Sequence, residues 1–428
     1  MRSPVNNPSG TRRTTIGVLF GFRALMVLLV CNFHIWQLGW LPQYFQIFGI
    51  PLNVDFITRS SYLLVDGLIL MSGLLLYLPY VQESRQGIPV IGTRRFYLNR
   101  LVRIVPSYLL SVTVMLFFVA LPQTRHGSPQ AAAKDILTHL SFTFTFWKDT
   151  YLYTPLNGAL WTVAVEMQFY LIFPFLARAA QKKPVLTLTS MALVGIGYRA
   201  LVYACVPENA LLINQMVGFL DVYALGMLGA MLYVRMREGN GESGSLFSRA
   251  LPQILAGVVF LAALYGLGAL MRVQSTQSLG GVEALRLSQL LIRLPFALCM
   301  LTAMLGAALM PRFAQKLLDN RLTRFMAAVS FNLYIWHQPL SAQIARDWFP
   351  DTLHSQPPLQ RAYTVLCLSL AVIVAMAATY GVEQPITRLS HQLIENRRNR
   401  HERPQTPKAE PSTDPLFLRA EERGAGVD

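Results

Sequence analysis

The sequence predicts an all-α polytopic membrane protein: a bundle of about ten transmembrane helices with both termini cytoplasmic. Three observations predict it. Of the 428 residues, 53% are hydrophobic and only 14% charged, where soluble domains carry about a quarter charged. The apolar residues gather in runs of about twenty, the length that crosses a hydrocarbon core as a helix. Arg and Lys concentrate in alternate connecting segments, the bias that marks cytoplasmic loops.

The runs lie at 17–36, 62–80, 104–121, 158–177, 185–204, 212–234, 251–271, 287–310, 325–341 and 361–381. Before them, 1–16 reads as a polar cytoplasmic lead. Arg12 and Arg13 followed by an apolar run resemble a signal sequence, but the run lacks a small-residue cleavage site and reads as a retained helix. Residues 17–385 then form the transmembrane domain. The tail, 386–428, is polar and Pro-containing, and is expected to be disordered beyond a basic helix end. Between the runs, 82–103 is an Arg-rich cytoplasmic loop and 236–250, with Gly239, Gly241 and Gly244, a flexible linker. The longest outer loop is 122–157; its stretch Ile136 to Trp147 is too short to span and reads as interfacial or re-entrant.

The net charge of +15 needs no nucleic acid to explain it, because most of the 37 Lys and Arg fall in the cytoplasmic segments. Cys31, Cys205, Cys299 and Cys367 are scattered through or beside the spans, with neither metal-ligand spacing nor a disulfide framework, so no metal is expected.

Ionisable side chains inside the runs each cost about 2.5–3.5 kcal/mol on insertion scales unless they face protein or a wet cavity. Arg23 and His34 are eleven residues apart, which returns to nearly the same helix face with roughly 16 Å of axial offset. Both would line one cavity; the plainer alternative is a snorkelling Arg and a hydrogen-bonded core His. Asp66 is either functional or a structural partner for an Arg elsewhere, while Ser72-Gly73 permits close helix approach. Glu166 and Tyr170 share a face, with Trp161 just over one turn earlier. Glu166 is open to three roles: general base, carboxylate orienting a His, or buried ion-pair partner. Arg100 and Arg103 present neighbouring guanidinium forks suited to phosphate oxygens, although cytoplasmic bias alone also puts Arg there. Ser330, Tyr334 and His337 cluster on one side of the ninth run, as a site or as polar glue between helices. Glu383 reads as architectural, placed to pair with a cytoplasmic Arg.

In their order, these elements resemble the acyltransferase type 3 family, integral-membrane O-acyltransferases that mostly modify bacterial surface glycans. The resemblance covers about 17–385. It rests on Arg23 and His34; Asp66, Ser72 and Gly73; Arg100, Arg103, Ile104 and Pro106; Leu160, Trp161, Val165, Glu166, Gln168, Phe169 and Tyr170; Ser330, Tyr334, His337 and Pro339; and Glu383 and Pro385. The chain departs from the pattern at Phe20-Gly21, where the family often has Asp-Gly, so an ion pair for Arg23 must come from elsewhere, Asp66 or Glu166. No secreted hydrolase-like domain is expected after the last span.

The resemblance implies a multi-pass enzyme of the bacterial inner membrane. It would move an acyl group, by default acetyl, from cytoplasmic acyl-CoA to a hydroxyl of a glycan or glycolipid at the outer side. His34 would be the base, with Glu166 or Asp66 holding its ring. Arg100 and Arg103 would grip the CoA phosphates and Arg23 would border the pantetheine arm. Ser72, Trp161, Tyr170, Tyr334 and His337 would supply the remaining polar surface. The competing classes are a transporter or flippase, which predicts pseudo-symmetric halves that the sequence lacks, and a non-catalytic relative.

Overall fold

The computed structural model describes residues 15–39, 41, 44–206, 211–239, 246–349 and 357–402. Most of the predicted lead, the middle of the 236–250 linker and the tail beyond 402 lie outside the described residues. Each of the ten apolar runs is a helix. They are α1 (Leu19–Trp36), α3 (Leu64–Gln86), α4 (Thr93–Met115), α7 (Trp161–Lys182), α8 (Pro184–Cys205), α9 (Leu220–Gly239), α10 (Leu246–Leu279), α11 (Val282–Leu309), α13 (Arg321–Trp348) and α14 (Pro357–Ala378). Between them lie the short helices α2 (Asp55–Ser60), α5 (Pro129–Leu140), α6 (Lys148–Leu152) and α12 (Arg312–Gln315). Among the described residues, nine helical segments are long and apolar enough to cross a membrane.

The segment outside that set is α13, 28 residues long. Its ends are charged and its middle carries Ser330, Asn332, His337 and Ser341, all buried. The polarity is therefore turned into the protein. Its N-terminus is fixed by a capping box, in which the Asn320 side chain accepts from Thr323 N at 3.0 Å and Asn320 N donates to Thr323 Oγ1 at 3.0 Å. Arg23 of α1 meets Ser330, and His34 meets His337, so α1 and α13 run in the same direction. A first and a ninth crossing must do so if the chain alternates across a bilayer.

Burial separates an inner set of helices from an outer rim. The span window containing α3 is 78% buried and that of α10 only 17%. The exposed face of α10 carries Leu255, Val258, Leu261 and Tyr265, a surface suited to lipid. The central seam joins α3 to α9 through glycines. A Cβ on Gly226 would sit 2.1 Å from the Leu70 carbonyl oxygen, and one on Gly73 would sit 2.7 Å from the Tyr223 carbonyl oxygen. Backbone cannot yield as a side chain can, so the two helices touch only because these positions lack Cβ atoms. Gly226→Ala is accordingly expected to cost about 1–3 kcal/mol or more by overpacking. Gly197→Ala, with nothing within 4 Å, should be neutral or stabilising. Thermal unfolding of both variants in detergent checks this; equal midpoints would contradict the seam.

Two departures from a plain bundle occur. A two-residue hairpin joins β1 (Tyr44–Ile47) to β2 (Ile50–Asn53), antiparallel with Ile47 opposite Ile50. Its turn places Phe48 and Gly49 at φ 50° and 78°, the left-handed pair such tight turns require. In addition, α4 begins at Thr93, not near 104, so Arg100 and Arg103 sit on a helix and not in a loop.

The 122–157 loop is neither a span nor bare coil: it contains α5 and α6. Asp135 of α5 ties together the segments flanking them, lying 3.0 Å from His126 Nε2 and 3.1 Å from His139 Nδ1, and accepting from Thr154 Oγ1 at 2.9 Å. The chain divides into two compact units, 1–384 and 385–428. In the second, the described residues continue the helix α15 (Gln384–Glu402), so the start of the expected tail is helical.

Candidate active site

The elevenfold spacing of Arg23 and His34 gives what helical geometry requires: both side chains reach α13. Arg23 Nε donates to Ser330 Oγ at 2.9 Å, and Ser330 Oγ donates in turn to the Ala327 carbonyl at 2.8 Å. About three turns further along α1, His34 Nδ1 lies 3.0 Å from His337 Nε2, with ring centroids 5.0 Å apart. His337 is completely buried, its Nδ1 2.7 Å from the Tyr334 carbonyl and its ring 5.5 Å from that of Tyr334. His34 keeps partial accessibility.

Pro339 shapes this stretch of α13. It has no N–H, so the Ile335 carbonyl loses its helical donor. Asn157 Nδ2 takes the place of that donor at 2.9 Å and also donates to Ser111 Oγ at 2.8 Å. The entry to α7 is thereby tied to α4 and to the His337 turn. Asn157 stands in a loop without a charge, and sequence reasoning had no signal for it.

The second cluster lies nearer the N-terminal ends of α1 and α4. Tyr170 Oη donates to Glu166 Oε2 at 3.1 Å and also meets Ser72. The Arg100 guanidinium lies over the rings of Phe96 and Tyr170, at 5.5 and 5.3 Å from their centroids. Arg103 is within coulombic range of Arg23 and of Glu383. Glu383 accepts from Asn332 Nδ2 at 2.8 Å, and the same amide donates to Thr379 Oγ1 at 2.9 Å. Residues Thr379–Glu383 form a π-helical turn, a local irregularity frequent at functional sites. Three arginines and two carboxylates thus share one region, with Glu166 and Glu383 the acids in range of Arg23. In place of an acid at position 20, Glu166 and Glu383, on other elements, are the acids that attract Arg23.

Several of the polar residues keep partial access. Arg23, His34, Ser72, Arg100, Arg103, Trp161 and Glu166 are each partly accessible, while immediate neighbours such as Phe22, Ala24, Phe33, Ile35, Gly73 and Val165 are buried. Partial access among buried neighbours marks these residues as the candidate site.

Not every expected residue joins it. Asp66 accepts from Arg293 Nε at 3.1 Å, and both are buried. Next to that pair, Arg199 and Asp221 form a two-pronged salt bridge, with both N–O distances 2.7 Å. The arginines Arg199 and Arg293 both donate to the Gly218 carbonyl, at 2.6 and 3.3 Å. Trp161 stacks on Phe219, whose ring also carries the Arg293 guanidinium at 4.2 Å. Asp66 therefore belongs to a buried charge lock beside the candidate site, with Trp161 the aromatic neighbour between the two, the structural alternative open to Asp66 from sequence. Asp221 was legible too: an acid within an apolar run demands a partner as strongly as Asp66 does. A separate cavity of about 300 Å³ opens at the N-terminal end of α1, between Thr15, Tyr233, Arg237 and Arg312, and includes neither His34 nor the Arg100–Arg103 pair.

Comparison with curated proteins and with solved structures gave no match. A family profile described as an acyltransferase domain matches residues 19–380, nearly all of the membrane portion and every residue of both polar clusters except Glu383. With that match over the helices that carry both polar clusters, the chain belongs to the acyltransferase type 3 family.

Proposed function

We propose that this membrane acyltransferase moves an acyl group, acetyl by default, from acyl-CoA to a hydroxyl of a carbohydrate or glycolipid. The donor enters from the cytoplasmic side and the acceptor is met at the outer side of a bacterial inner membrane. The observation that carries the reading is the placement of Arg23 and His34 along one face of α1. They engage one partner helix, with the arginines of α4 gathered at the Arg23 end.

Transfer from a thioester to a hydroxyl needs a base, a stabiliser for the oxyanion, and positioning. In this reading, His34 takes the hydroxyl proton. Arg100 and Arg103 hold CoA phosphate oxygens, Arg100 being pre-oriented by its two aromatic rings. Arg23 borders the path between them, its geometry set by Ser330. The hydroxyl oxygen bonds to the carbonyl carbon, the C–S bond breaks, and the proton on His34 passes to the departing thiolate.

The test is binding and transfer by the purified protein in nanodiscs. Arg100→Gln with Arg103→Gln should raise the Kd for acetyl-CoA at least about tenfold, since charge-assisted hydrogen bonds contribute roughly 1.5–3 kcal/mol each. Titration calorimetry reads this directly. Unchanged affinity in the folded double variant would remove the phosphate clamp. Failure of label from [14C]acetyl-CoA to reach any fraction of a membrane glycolipid extract would remove the acetyl-transfer assignment.

A further inference from the structure

A general base needs its lone pair on the right nitrogen, and among the described residues no carboxylate is hydrogen-bonded to His34. The two acids expected to hold the ring are engaged elsewhere, Asp66 by Arg293 and Glu166 by Tyr170. What faces His34 Nδ1 is another imidazole, His337 Nε2, at 3.0 Å. In a hydrogen bond between two neutral rings one nitrogen donates and the other accepts.

The surroundings of His337 decide which. Its other nitrogen, Nδ1, is 2.7 Å from the Tyr334 carbonyl oxygen. A carbonyl has no hydrogen to give, so Nδ1 of His337 is the protonated one and its Nε2 holds the lone pair. A doubly protonated His337 would place a cation in a completely buried position, in contact with a second imidazole and with no acid among its described hydrogen-bond partners. Hence His34 Nδ1 is the donor, and the lone pair of His34 falls on Nε2.

We propose that His337 is a positioning residue that locks His34 in its Nδ1–H tautomer and so presents an unprotonated Nε2 to the acceptor hydroxyl. This rests on the reading of His34 as the base. When Nε2 takes the hydroxyl proton, His34 becomes an imidazolium and its Nδ1–H bond to His337 becomes charge-assisted, hence stronger, at the moment charge develops. The ring that fixes the tautomer thereby also stabilises the intermediate. Once Nε2 hands its proton to the thiolate, both rings return to their starting state.

Two measurements test this on the full-length protein in nanodiscs. The first is the 15N spectrum of histidine-labelled protein, with the His34 signals assigned by their loss in His34→Gln. The expected result is a protonated Nδ1 and a bare Nε2 in the wild type, retained in His337→Gln and lost in His337→Ala. A protonated Nε2 on His34 in the wild type overturns the proposal. The second is the rate of transfer from [14C]acetyl-CoA to a membrane glycolipid extract. His337→Ala should lower kcat by about 10²-fold or more, a wrong tautomer being a large defect in a base, and leave the KM for acetyl-CoA within about twofold. His337→Gln, whose Oε1 accepts near the place of Nε2, should recover at least a tenth of wild-type kcat. Equal activity of both variants, or a shared loss with unfolding of the alanine variant alone, overturns the role. Because the spectrum reads the tautomer without turnover, a wild-type rate in His34→Ala would remove the base while leaving the tautomer assignment standing.

Discussion

His34→Ala is expected to lower kcat by about 10²–10⁴-fold, the range a positioned general base supplies, while acetyl-CoA still binds with wild-type affinity. The separation of the two effects follows from the architecture. His34 stands near the C-terminal end of α1 and makes its contact with α13 at His337, whereas the arginines proposed to hold the donor gather around Arg23, toward the opposite end. Truncating the imidazole removes no contact to that cluster. Nor should it unfold the protein: His34 is partly accessible, and Cys31 and Ile35 on the same helix remain buried. Single-turnover transfer alongside titration calorimetry separates chemistry from binding. Loss of affinity equal to the loss of rate would mean that His34 holds substrate and does not move a proton. A wild-type rate would remove it altogether.

The helices were legible because the bilayer dictates them. Ten runs of about twenty apolar residues could satisfy their backbones in hydrocarbon only as helices, and each is one. Helical arithmetic also located one site face. The eleven-residue spacing put Arg23 and His34 on one side, and both meet α13. What the pattern could not supply was the partner. His34 and His337 are 303 positions apart, and nothing local marks an imidazole rather than an acid as the group behind His34. The same gap accounts for Asp66. An acid within an apolar run must be paired, but periodicity leaves open whether a histidine or an arginine pairs it. The choice of Arg293 depends on how α3 and α11 approach. The hairpin at residues 44–53 was missed for a different reason: its turn is Phe48-Gly49, without the Asn or Asp that flags such turns.

Asp221→Ala is expected to destabilise the protein by about 3–5 kcal/mol, because it leaves a buried guanidinium without its counter-charge. Arg199 is 1% exposed and Asp221 fully buried, so no water is at hand to replace the carboxylate. The Gly218 carbonyl cannot compensate, since Arg199 and Arg293 already share it. That sharing couples this pair to Asp66–Arg293, and the alanine variants of Asp221 and Asp66 should therefore not add, differing from the sum by roughly 0.5–3 kcal/mol. Converting the pair to packed apolar groups, Arg199→Met with Asp221→Leu, should recover most of the loss, since the cost lies in the orphaned charge and not in the missing attraction. Unfolding in graded detergent or denaturant reads all four proteins. The comparison also assigns Asp66. If it serves only the lock, Asp66→Ala should lose activity in proportion to its folded fraction, with the kcat of the folded molecules unchanged. A folded Asp66→Asn protein with kcat reduced a hundredfold would instead place this carboxylate in the chemistry, with Arg293 as the group that holds it.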